Sequence, residues 1–266
     1  MRYDEDYLRE LELFDTFQQI GRVLQGATVA RSEVAPEIAV QQVRIAHTSP
    51  PLQSAKTAAV APIRIDHARV ARIALMDWAA LQHEAATCNA CGLCEHRKQT
   101  VFGVGSQSAP WLFVGEGPGA EEDEAGEPFV GPAGKLLDAM LAATGLQRGR
   151  EVYIANVVKC RPPGNRTPTI NEAAACAPLL DRQIDLIQPK LIVALGKTAV
   201  MRLGGSEASM ASVRGTLHNY RDIPMVATYH PAYLLRSLTE KLKGWEDMLF
   251  AKREMAKIMA AKAGSA

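Results

Sequence analysis

Apolar positions along the chain fall into three patterns: helical stepping, short unbroken apolar runs, and a stretch with neither. From Tyr7 to Leu24, the residues Leu8, Leu11, Phe14, Phe17, Ile20 and Leu24 recur at steps of three or four, which gathers them on one helix face. This predicts an amphipathic helix within residues 1–25, packed on the main domain or laid in a partner's groove. Over residues 26–64 the chain turns to Ala, Val, Pro, Ser, Thr and Gln with no aromatic residue, and it carries the step Ser49-Pro50-Pro51. Such a segment buries too little apolar surface to offset the entropy of ordering, so a disordered linker is expected. Helical spacing returns from Ile65 to Ala86: Val70, Ile73 and Met76 step by three, Trp78 and Leu81 do the same, and Asp77 is placed to cap a second helix. The compact domain is expected to occupy residues 65–266.

Within that domain, Trp111–Val114, Val152–Asn156, Leu191–Leu195 and Pro224–Thr228 are short apolar runs that read as buried strands. Helical patterns lie between them. One starts at Pro132 and carries Leu136, Leu137, Met140 and Leu141, another runs from Ile170 to Ile187 with Thr169 or Asn171 near its cap, and a third runs from Thr198 to Leu203. A last helix is expected from about Thr239 to Ala261, and Val213–Tyr220 reads as a hairpin or edge segment. Strands alternating with helices imply an α/β fold with a parallel sheet covered on both faces. The loops after Val114, Asn156 and Thr228 are the unusual ones, and parallel strands bring all three to one edge, where α/β folds bind ligands.

The first of these loops holds Gly115, Gly117, Pro118 and Gly119, an acidic run Glu121–Glu124, and Phe129 as an exposed aromatic between turn residues. Its glycine spacing is not the dinucleotide fingerprint, it lacks the Lys-Ser/Thr of a phosphate loop, and its acids would repel phosphate. Charge adds little: the 266 residues carry a net +1, so a nucleic-acid partner needs locally clustered cations rather than a basic whole. No apolar run is long enough to span a bilayer, and the N-terminus is acidic where a signal peptide is basic, so a cytoplasmic protein is expected. The five cysteines change the picture more. Cys88, Cys91 and Cys94 form a Cys-x2-Cys-x2-Cys run, followed at a distance by Cys160 and Cys176, a set that points to metal rather than disulfides. Structural zinc and an iron–sulfur cluster both suit it.

Taken in order, several runs resemble one family, the iron–sulfur (family 4) uracil-DNA glycosylases. They are Cys88-x2-Cys91, Val101-Phe-Gly103, Gly115-Glu-Gly-Pro-Gly119 with Glu122-Asp123, and Pro128-Phe-Val-Gly131. Further along come Tyr153-x2-Asn156, Lys159-Cys-Arg-Pro-Pro163 with Asn165-Arg166, Cys176, Leu195-Gly196 and His230-Pro-Ala-Tyr-Leu-Leu-Arg236. The resemblance covers roughly Trp78 to Met255. It implies a three-layer α/β/α domain around a central four-stranded, mainly parallel sheet. It implies a 4Fe–4S cluster held by Cys88, Cys91, Cys160 and Cys176, with Cys94 spare, and a substrate of uracil-containing DNA.

The resemblance also implies roles. Phe129 is the platform on which a flipped uracil stacks, and Asn156 reads its N3 and O4 edge. His230 donates to O2 as the base leaves with negative charge, and Glu116 and Glu122 belong to the catalytic site, Glu122 through pocket shape and water or base positioning. Gly117 stands where some relatives place an aspartate, and it lines the substrate site with Asn165. Leu234, Leu235 and Arg236 form a wedge pressed into the duplex, while Arg161, Arg166, Lys197 and Arg214 are phosphate candidates. Glu121, Asp123 and Glu124 read as a solvated run. A monomer is expected, with the N-terminal helix available to a repair or replication protein. The alternative is a cluster-bearing DNA-binding or replication-associated module without glycosylase activity.

Overall fold

The computed structural model describes residues 66–205 and 207–263, so the expected N-terminal helix (1–25) and linker (26–64) lie outside the described residues. In chain order its elements are α1 (His67–Ala74), α2 (Trp78–Thr87), β1 (Val104–Gly105), β2 (Trp111–Gly115), α3 (Ala120–Ala125), α4 (Pro132–Ala143) and β3 (Val152–Asn156). There follow α5 (Ile170–Ile187), β4 (Leu191–Leu195), α6 (Lys197–Gly204), α7 (Met210–Val213), β5 (Leu217–Tyr220), β6 (Ile223–Thr228), α8 (Pro231–Arg236) and α9 (Lys241–Ala263).

Every residue of β2, β3 and β4 is buried, as unbroken apolar runs in a sheet covered on both faces should be. Alternation along each strand then divides the core. Leu112 and Val114 join Ile73, Leu81, Leu180 and Val200 on one face, under α1, α2, α5 and α6. Trp111 and Phe113 join Leu137, Leu141, Met248 and Ala251 on the other, under α4 and α9. The result is the expected α/β/α sandwich. Among the described residues no helix is long and apolar enough to cross a membrane.

The sheet has six strands in the order β1-β3-β2-β4-β6-β5, where four were expected. The expected four are its parallel centre, the antiparallel edge β5 falls in the segment Val213–Tyr220 read as a hairpin or edge, and β1 is the addition. β1 is only two residues long, too short to show any alternation. Gly115 pairs with Asn156 and Leu195 with Thr228, so the parallel strands end level and their loops leave from one edge.

Local readings differ in three places. Val70 is 37% exposed while Ile73 is fully covered, because α1 rests on one narrow stripe and Val70 lies off it. Met76 falls between α1 and α2, and Asp77 caps α2 by accepting from the Ala80 N–H at 2.8 Å. The acidic run is not a loop but α3, and Asp123 is buried rather than solvated, since its carboxylate accepts the Lys98 N–H at 2.9 Å.

Candidate active site

The three loops enclose a cavity of about 440 Å³ whose lining includes Glu116, Gly117, Phe129, Asn156, Asn165 and His230. Asn156 ends β3 and is 2% exposed, and its Oδ1 has no hydrogen-bond partner among the described residues. A buried amide oxygen left alone costs about 1–3 kcal/mol, so this atom is poised for a donor that arrives from outside. Its neighbour across the ladder is Gly115. A Cβ there would lie 2.5 Å from Asn156 Oδ1 and 2.6 Å from Phe129 Cζ. Glycine at this strand end is what lets the amide and the ring lie side by side.

Phe129 is 6% exposed, correcting the expectation of an exposed aromatic. Its ring stacks on the His230 imidazole, with centroids 5.4 Å apart and planes at 29°. Its backbone sits at φ 57°, a conformation strained for an aromatic residue. Arg148 holds it there, donating to the carbonyls of Pro128 at 2.7 Å and Phe129 at 2.8 Å. Glu122 holds the same loop from the other side. Its Oε1 accepts the N–H groups of Val130 (3.0 Å) and Gly131 (3.1 Å), and its Oε2 accepts that of Gly119 (3.1 Å). Of the two roles expected for Glu122, shaping the pocket is the one its hydrogen bonds serve. Glu116 instead accepts from the Thr198 hydroxyl at the start of α6.

His230 is the N-cap of α8, and its Nδ1 accepts the Ala232 N–H at 3.2 Å. A neutral imidazole that accepts at Nδ1 carries its proton on Nε2, so the free ring nitrogen is a donor. Burial pushes its pKa down to about 4, with the Arg236 charge adding to the shift and Glu122 opposing it. The ring is therefore neutral near pH 7. Gly196, at φ 86°, makes room for it, because a Cβ there would stand 2.9 Å from the His230 Cβ.

Cys88, Cys91, Cys94, Cys160 and Cys176 line a second pocket, walled by Ala85, Leu93, Val158 and Leu179, and none is in a disulfide. Three donors reach the sulfurs: Arg69 Nη2 to Cys88 Sγ (3.3 Å), Arg97 Nη1 to Cys160 Sγ (3.1 Å) and the Lys159 N–H to Cys176 Sγ (3.3 Å). Among the described residues no three ligand-type side chains converge tightly enough to hold a single ion. The donors gathered here are all sulfur, the ligand type that soft metal centres take. The two pockets share a backbone: the buried Lys159 donates from Nζ to the Asn156 carbonyl at 3.0 Å, one residue before Cys160.

The family model for the Uracil DNA glycosylase superfamily matches residues 102–251. The chain belongs to that superfamily. It is similar to the Type-4 uracil-DNA glycosylase of Thermotoga maritima, 48% identical over 161 residues, which is 59% of this chain and 82% of that one. It is 44% identical over 169 residues to the Type-4 enzyme of Pyrobaculum aerophilum, covering 60% of this chain and 86% of that one. It is also 44% identical over 164 residues to that of Sulfurisphaera tokodaii, covering 58% and 74%. All three pocket loops fall inside the matched region, and α1 and α2 precede it.

On a member of this superfamily the residues expected at DNA divide sharply. Leu235 is 39% exposed and Arg236 stands exposed at the cavity rim. Leu234 is 1% exposed and packs where a Cβ on Gly244 would come within 2.7 Å of its Cδ1, so it is core rather than wedge. The turn of α8 decides this by sending adjacent leucines to different sides. Arg214 is also corrected. Its Nε donates to the buried Asp247 at 2.6 Å and its guanidinium lies 4.9 Å over the Tyr229 ring, so it braces the His230 loop from behind. Arg166 forms a fork with Glu172 at 2.8 and 2.7 Å, and Arg161 Nε donates to Asn165 Oδ1 at 2.7 Å. Both stay beside the cavity. The sequence does not reveal Arg69, Arg97 and Arg148, because the groups they hold lie nine or more residues away and no spacing announces them.

Proposed function

We propose that this chain hydrolyses the N1–C1′ bond of deoxyuridine flipped out of DNA, the first step of base excision repair. The observation that carries the reading is the buried, unpartnered Asn156 Oδ1 beside the Phe129 ring and a neutral His230. Uracil presents an N3–H donor next to an O4 acceptor, and one amide satisfies both. Cytosine reverses that pattern and would leave the buried amide mispaired, a mismatch that can reject by about 10⁴–10⁵-fold. Phe129 supplies the stacking face. As the bond to the sugar breaks, charge gathers on O2, and the His230 Nε2–H meets it there. A donor aimed at developing charge is worth about 10²–10³-fold in rate. Glu116, the pocket carboxylate not held by backbone N–H groups, faces the cation-like sugar and orients the attacking water. Leu235 fills the gap left by the flipped base, and Arg236, Arg161 and Arg166 meet phosphates.

The cysteine pocket fits a 4Fe–4S cluster in donor type and in the hydrogen bonds aimed at its sulfurs. Cys88, Cys91, Cys160 and Cys176 would hold it, with Cys94 spare. When bound, the cluster supplies a rigid, redox-active knot, and it ties the loop from Arg161 to Ala175 to the strand that ends in Asn156. Residues 1–62 would serve docking of a repair or replication protein.

The test is base release from oligonucleotides carrying a single uracil, hypoxanthine, xanthine or thymine, followed by alkaline cleavage. Uracil should be released, and Asn156→Ala and His230→Ala should each lose most of that activity while keeping the fold. Release at the wild-type rate from either folded variant would sink the assignment.

A further inference from the structure

The helix α1, like Cys88, precedes the region matched by the family model, and one of its side chains ends on the Cys88 sulfur. Arg69 Nη2 donates to Cys88 Sγ at 3.3 Å, and its Nη1 donates to the carbonyl of Ala175, next to Cys176, at 2.8 Å. Its Nε lies 3.4 Å from Glu84, and the side chain is only 12% exposed. The helix is fixed well enough to aim it. Asp66 caps its start by accepting the Arg69 N–H at 3.0 Å, Ile73 is fully buried, and Arg72 grips Glu84 at 2.6 and 3.0 Å. Arg182 ties the end of the segment by donating to the Met76 carbonyl at 2.7 Å.

We propose that α1 is a cap on the cysteine pocket and that Arg69 tunes and shields the cluster bound there. The proposal rests on the reading that a cluster occupies the pocket. A mere staple of α1 to α2 and α5 would need only Glu84 and the Ala175 carbonyl. The third contact, to a ligand sulfur, does something else. A cluster held by four thiolates is negatively charged, and each added electron makes it more so. A guanidinium at a ligand sulfur stabilises the reduced state more than the oxidised one, which raises the reduction potential. The hydrogen bond also draws charge from the thiolate and keeps Cys88 oriented, as outer partners do at metal sites. Arg97 does the same at Cys160 from the segment after Cys94, so α1 adds a second cation at a second sulfur.

The experiment uses the full, cluster-loaded chain and three variants. Arg69→Met keeps the bulk and removes charge and donors, Arg69→Lys keeps the charge, and Asp66→Ala loosens the start of α1 while leaving Arg69 in place. The readouts are the cluster's midpoint potential by direct electrochemistry and the rate at which its visible absorbance bleaches under an iron chelator. Arg69→Met should shift the potential to a more negative value and bleach several-fold faster. Arg69→Lys should recover part of the potential, and Asp66→Ala should keep that of wild type. Wild-type values for Arg69→Met in both readouts would overturn the proposal, as would an equal shift in Asp66→Ala, which would assign the effect to helix docking. Wild-type protein without iron or sulfide would remove the cluster reading itself, and that outcome is seen before any variant is made.

Discussion

Replacing Gly115 by alanine is the sharpest test of the pocket, because it adds one methyl group and nothing else. The new Cβ would stand 2.5 Å from Asn156 Oδ1 and 2.6 and 2.7 Å from Phe129 Cζ and Cε2. Unstrained carbon contacts lie near 3.5–4.0 Å, so the ring or the amide must retreat by about 1 Å. Neither is free to do so at no cost. Asn156 is fixed by its register with Gly115, and the Phe129 backbone is gripped by Arg148. Overpacking of this kind costs about 1–3 kcal/mol of stability, and each kcal/mol lowers Tm by about 2–4 °C in a domain of this size. The catalytic effect should be larger, since a 1 Å misplacement of a positioning group costs on the order of 10²-fold in rate. The assay is single-turnover release from an end-labelled oligonucleotide with one uracil, enzyme in excess, beside a thermal melt. Gly115→Ala should stay folded, melt a few degrees lower and release uracil about 10²-fold more slowly. A variant that matches wild type in both rate and melting would refute the claim that this glycine sets the approach of amide and ring.

His230 makes a pH prediction. With its pKa pushed down to about 4, the ring stays neutral through the ordinary working range, so kcat/KM should show no inflection near 6.5 and should fall only toward pH 4. Between 6.5 and about 4 the unfolded chain binds a proton at this residue that the folded chain does not, so His230's contribution to stability is lost as pH falls through that window. A histidine-dependent inflection near 6.5 would contradict the buried, neutral ring. The two leucines of α8 should separate. Leu234→Ala should destabilise by about 2–5 kcal/mol, read from Tm. Leu235→Ala should leave Tm within the small range of surface substitutions while raising KM on duplex more than on single-stranded substrate. Equal effects of the two on Tm would show that the helix phase is not as described.

How much of this was legible beforehand depended on whether local pattern or distant partners decided the outcome. The central strands were readable because each is an unbroken apolar run, and the shared edge of their loops follows from parallelism alone. Asn156 and His230 were readable as candidates because each ends such a strand within a motif. β1 was not, because two residues carry no period. Asp123 was mistaken for a surface charge because the group that buries it, the Lys98 N–H, belongs to another loop. Phe129 reads as exposed in the sequence because its cover is an imidazole about a hundred residues later in the chain. Arg214 reads as a free cation in the sequence because its partner, Asp247, lies thirty-three residues away on α9. In each case a tertiary partner overrode a sound local inference.

The strand order has a consequence for the making of the enzyme. The wall that carries Asn156 and Phe129 comes from the β2–β3 half of the sheet, but His230 follows β6, and β4 must be inserted between β2 and β6 before the histidine can reach the ring it stacks on. Parallel strands pair only across long connections, so their closure is slow compared with local helix formation. On the ribosome the half with Asn156 and Phe129 therefore appears first, with no His230 opposite it. A chain interrupted before the last strand lacks His230, which on the role proposed for it leaves no donor to the departing base. On that role, base release waits until the last strand has been made and its helix Lys241–Ala263 can close the core over it.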